Sequence, residues 1–163
     1  MKRCVKISDR IAVPDILAFL GQRASRSEWV AHDIWIIDEG EDRRLEDMSD
    51  SGMRVSADAF LSAVKAVRQV VDGRFEGFEA GGQEPWVTIE AIDGSFHLLH
   101  ADESVLKVAR TAFVAVTDYD PPEVPWKRGR REPNQPPQRN AGSRPSSGDS
   151  SVSETPSSLG PRG

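Results

Sequence analysis

The chain has one cysteine and one tyrosine, and only three histidines; each scarcity excludes a class of chemistry. A lone Cys4 forms no internal disulfide, and no base is spaced to activate its thiol. His32, His97 and His100 fall at no recognised metal-ligand spacing. His97 and His100 lie three apart, which suits a helix face, but in a strand odd spacing puts them on opposite faces. No metal and no cofactor is therefore expected. No run approaches the ~18 apolar residues that a membrane-spanning helix needs. Met1 to Ile7 carries charges without the apolar stretch of a signal peptide. The phosphate-cradling glycine motifs, the G-x-S-x-G elbow and the calcium-loop spacing are missing too. These absences predict a cytoplasmic protein with no membrane partner.

Apolar residues are also scarce, but only after residue 120. Residues 121–163 hold nine of the eleven prolines, eight serines and five glycines, with Val124, Trp126, Val152 and Leu159 as the only sizeable apolar side chains. So little apolar surface cannot offset the entropy of ordering some forty residues. The expected organisation is a folded domain over 1–120 and a disordered tail over 121–163. Charge divides at the same point. The tail carries seven bases and four acids, and the domain keeps 14 bases and 22 acids, a net of −8. An acidic domain repels phosphate backbones and attracts basic partners. Sixteen arginines against five lysines give a bacterial, GC-rich flavour to the composition.

Within the domain, Pro14 and Asp15 open a helix whose stripe is Ile16, Leu17, Phe19 and Leu20, with Gly21 at its end. Ile34 to Ile37 reads as a buried strand, and Trp29, Trp35 and Trp86 as core. Residues 38–52 read as an acidic loop. Ser56 caps a helix whose stripe is Phe60, Val64, Val67 and Val71, closed by Gly73. Glycines 77, 81 and 82 mark loops. Asp93-Gly94 reads as a two-residue hairpin turn, which pairs Glu90 with His97 and turns Phe96 and Leu98 towards the core. Asp102 or Ser104 can cap a last helix, with Val105, Ala109 and Ala112 on one stripe. The order βαβαββαβ predicts an α+β domain, a mainly antiparallel sheet with about three helices on one face.

Three functional readings follow. The first is a non-enzymatic protein-binding module of inhibitor or immunity type. Its contact residues would be Glu39, Glu41, Asp42, Glu46 and Asp47, facing a basic protein. A tryptophan exposed beside them would be an affinity anchor. The second is a small enzyme or small-ligand binder on the open sheet face, with Glu90 orienting His97 as a general base. The third is binding of nucleic acid or another anionic polymer through the tail cluster Trp126, Lys127, Arg128, Arg130 and Arg131. Charge favours the first.

Overall fold

The computed structural model describes residues 3–37 and 42–120. In chain order the elements are β1 (Arg3–Ile7), α1 (Val13–Ser25), β2 (Glu28–Ile37), α2 (Arg44–Ser51), β3 (Val55–Ser56), α3 (Ala57–Ala66), β4 (Gln69–Phe78), β5 (Val87–Ile92), β6 (Phe96–Ala101), α4 (Glu103–Ala112) and β7 (Val116–Asp118). The strands form one antiparallel sheet in the order β3-β2-β4-β5-β6-β1-β7. The fold is α+β. Four helices feed one core, contributing Val13, Ile16, Leu17, Leu45, Phe60, Val64 and Leu106 among others. The sequence suggested three; the fourth, α2, lies in the expected acidic loop.

The core face of the sheet carries Val5, Ile7, Trp29, Ala31, Phe75, Val87, Ile89, Leu99 and Ala101. Trp29 stacks on Phe60 with centroids 4.9 Å apart, and Phe60 tilts against Phe75 at 5.3 Å. Such pairs add ~1 kcal/mol each beyond their burial. The indole N–H of Trp29 donates to the Ala24 carbonyl, and that of Trp86 to the Ser27 hydroxyl. Two buried tryptophans thereby satisfy groups at the end of α1 that water cannot reach. Asp15 accepts from the Ala12 N–H at the other end. Gly21 (φ 61°) does not end α1; it kinks it, and the helix resumes to Ser25.

Three further expectations fail, each for a physical reason. The helix after Ser56 stops at Ala66, and Val70 and Val71 belong to β4. Valines fit a pleated surface better than a helix end. Gly77 is a strand residue rather than a loop. A Cβ there would lie 2.9 Å from Val87 and 3.1 Å from the Trp29 ring. The glycine makes room for the indole.

The hairpin is the third. Asp93 and Gly94 do take left-handed φ values, and Ser95 N–H bonds to the Ile92 carbonyl. But Ser95 is left over, and Ile92 pairs with Phe96. The turn is docked on β4, with Gly94 N–H on the Val71 carbonyl and Asp93 N–H on the Asp72 carboxylate. One extra residue turns the whole of β6 over. His97, Leu99 and Ala101 face the core, while Phe96, Leu98 and His100 face away from it.

Candidate functional site

The expected Glu90–His97 pair does not form. His97 lies opposite Ala91 on the core face, and Glu90 opposite Leu98 on the other. His97 is 8 % exposed, and its Nδ1 has no hydrogen-bond partner. Burial lowers its pKa below 6.5, and the Asp15 carboxylate offsets this only in part. The imidazole is thus enclosed in the core rather than presented on the open face beside Glu90.

On the open face the register instead brings Cys4, His100 and Glu90 together. Cys4 is opposite His100, which is opposite Thr88. Cys4 Sγ lies 3.5 Å from His100 Nε2, and Glu90 Oε1 lies 3.7 Å from the same nitrogen. Sequence spacing could not show this, because the residues come from three strands. The trio resembles a nucleophile, base and orienting acid in type only. A relay needs the acid on one ring nitrogen and the nucleophile on the other; here both address one atom. Burial, and then the negative charge of Glu90, push the thiol pKa up to about 12. The sulfur is a protonated thiol at neutral pH, not a thiolate.

The second concentration of polar groups lies at β2. The strand starts with Trp29 and Ala31 in the core. Its pairing with β4 is irregular between His32 and Trp35, and Asp33 takes φ 50°. A bulge of this kind reverses the alternation beyond it. Ile34 and Ile36 then pack on the core, while Trp35 is 62 % and Ile37 45 % exposed. The sequence put Trp35 in the core. It reads as core because the bulge is invisible in a run of apolar residues.

Between β2 and α2 runs an open polar cleft of about 510 Å³. His32, Asp33 and Ile34 line one wall; Arg43, Glu46 and Asp50 line the other. α2 packs along β2, with Leu45 fully buried and Met48 partly buried against the core. Of the expected contact residues, Glu39 and Glu41 lie outside the described residues. Asp42 is gripped by Arg44, with N–O distances from 2.6 to 3.1 Å. Those hydrogen bonds hold its carboxyl below the usual carboxylate range. Glu46 pairs with Arg43 at 3.1 Å, and Asp47 is exposed. The acids whose place the sequence did not single out are Asp33 and Asp50. Neither has an ion-pair partner among the described residues. Trp126, Lys127, Arg128, Arg130 and Arg131 lie outside the described residues.

A smaller apolar cleft of about 270 Å³ opens between α1 and α3 above Trp29 and Phe60. Among the described residues no group of three or more His, Cys, Asp or Glu is placed to hold a metal ion, and no helix is long and apolar enough to cross a membrane. No protein-family model, curated protein or solved structure matches the chain.

Proposed function

We propose that this chain is a non-enzymatic protein-binding module that recognises a basic partner through the surface around Trp35. A single observation carries the reading. A tryptophan 62 % exposed, with the exposed Ile37 two residues on, lies two residues along β2 from Asp33, which lines a cleft with Glu46 and Asp50. An isolated exposed indole gains nothing for folding, since it stays in water. At an interface the same side chain is a frequent anchor, and surrounding acids steer a basic partner towards it. The net charge of −8 over 1–120 supports the same sign of partner. An inhibitor or immunity role, in which carboxylates occupy a site built for phosphates, fits this surface. A cytoplasmic location belongs to this reading, since a buried, protonated Cys4 is at home in a reducing compartment.

The test pairs a folding measurement with a binding one. Trp35→Ala should leave the urea midpoint within about 0.5 kcal/mol of the parent, as a surface substitution does. It should also lower affinity for a partner captured from source cells by about 2 kcal/mol or more, the loss typical of an interface anchor. Calorimetric titration of the purified partner reads both affinities. If Trp35→Ala costs stability and leaves affinity intact, Trp35 is a structural residue and the surface is not the contact.

A further inference from the structure

α1 and α3 do not close fully on each other. Between them lies the apolar cleft of about 270 Å³, with the stacked rings of Trp29 and Phe60 in its lining. On the α1 side Leu17, Ala18 and Gly21 share one stripe, and none carries a charge. Gly21 holds φ 61° and ψ −135°, a conformation open to glycine, and a Cβ there would meet nothing within 4 Å. Protein interiors are otherwise close-packed, and an unfilled apolar space forfeits the dispersion contacts that a larger side chain would make. Folding gains nothing from such a gap, whereas a ligand would. On the α3 side the stripe is Asp58, Leu61 and Lys65, an acid, an apolar side chain and a base at i, i+3 and i+7 of one helix face. Neither charge has an ion-pair partner among the described residues. Each suits its end of the helix dipole, but the dipole does not require them to line an apolar cleft together.

We propose that this cleft binds a short apolar peptide with free termini, about three residues long, its ammonium on Asp58 and its carboxylate on Lys65. Helix geometry sets the length. Positions 58 and 65 are ~10.5 Å apart along the axis at about 1.5 Å per residue. Three extended residues span ~10 Å at about 3.3 Å each. The middle side chain of the peptide then lies between Leu17 and Leu61, over the aromatic pair. An apolar cleft with a few placed polar groups is the ordinary form of a ligand site. A single amino acid is too short to reach both charges, and a fatty acid would leave Asp58 facing an apolar chain. The charges of Asp58 and Lys65 are full ones and outweigh the half-charges of the helix ends beside them. The site shares no residue with the surface around Trp35 and does not rest on the protein-binding reading.

The test titrates the full chain, labelled with nitrogen-15, with the tripeptide Ala-Leu-Ala and follows amide chemical shifts. The free peptide should bind with a Kd of about 1 mM or below and move the amides of Ala18, Gly21, Leu61 and Lys65. Its blocked counterpart, acetyl-Ala-Leu-Ala-amide, keeps the apolar body and loses both charges. It should bind about tenfold more weakly, the loss of two partly exposed ion pairs. Asp58→Asn and Lys65→Met should each weaken the free peptide about threefold and leave the blocked one unchanged. Ala18→Leu puts a larger side chain into the cleft. It should abolish binding of the free peptide and leave the urea midpoint unchanged or raised, since it fills a gap. Equal affinity for the free and blocked peptides would mean a cleft that does not read the termini, and would overturn the proposal. Binding that survives Ala18→Leu would place the peptide elsewhere and overturn it too. So would the absence of shifts in these amides up to about 10 mM peptide, an affinity weaker than about −3 kcal/mol.

Discussion

His97 illustrates how a single side chain can set the pH response of the fold. It is in the core, neutral, with Nδ1 unsatisfied. Its pKa in the folded protein is below the ordinary 6.5. Well above 6.5 both folded and unfolded chains carry a neutral ring, and the group adds no pH dependence. As pH falls through 6.5 the unfolded chain binds a proton that the folded chain refuses. Stability therefore decreases with acidification until the folded ring also titrates, by at most about 1.4 kcal/mol per pH unit. His97→Leu should remove this slope. It also removes an unmet polar atom, worth about 1–3 kcal/mol. Urea unfolding at about pH 8 and about pH 5, either side of the ordinary histidine value, checks it. The variant should gain on the parent at the lower pH. Parallel pH dependence in the two proteins would show that His97 is not the responsible group.

At the scale of elements, register decides what each strand presents. Ser95 is the residue left over in the hairpin, so its deletion is the informative change. Without it, Asp93-Gly94 becomes a plain two-residue turn that still joins Ile92 to Phe96, so β6 keeps its register and its faces. The deletion should fold with Leu99 and Ala101 in the core, at a cost of about 0.5–3 kcal/mol for reshaping a turn docked on β4. Far-ultraviolet circular dichroism and a urea transition followed by tryptophan emission would show this. A deletion variant without a cooperative transition would mean that Ser95 is needed for the register itself. The same residue explains why the hairpin was legible in kind and not in register. The turn dipeptide is local, but the docking of Gly94 on Val71 that creates the extra residue is tertiary. The β4 strand was illegible for a related reason. Phe60, Val64, Val67 and Val71 satisfy a helical spacing, and only packing against Trp29 shows that Gly77 belongs to a strand. The acidic character of the candidate surface was plain from Asp42, Glu46 and Asp47. Its anchor was not, because exposure of Trp35 depends on a bulge at Asp33 that no residue pattern announces.

For the whole molecule, the decisive feature is where the first strand goes. β1 is not at an edge. It lies between β6 and β7, pairing with Phe96–Ala101 on one side and Val116–Asp118 on the other. Val5 and Ile7 are fully buried there, beside Leu99 and Leu106. The Tyr119 N–H reaches the Cys4 carbonyl and extends the closure. β1 must thus meet residues about a hundred positions away before it gains a strand partner. Such closure is entropically costly, so folding should be slow for a domain of this size. It also makes the fold all-or-none, since one core joins the helices to both halves of the sheet. Removing residues 1–7 should therefore abolish folding outright, rather than trim an edge. The deletion strips β6 of one of its two strand partners, leaves β7 with nothing to pair against and opens the core at Val5 and Ile7, whose burial alone is worth about 3–6 kcal/mol together. That approaches the full stability of an ordinary domain, about 5–15 kcal/mol. Supplying residues 1–9 as a separate peptide should restore a cooperative urea transition with a midpoint that rises with peptide concentration. A truncated chain that unfolds cooperatively without the peptide would show that β6 and β7 can close the sheet on their own, and that the long-range pairing of β1 is not what makes the fold cooperative.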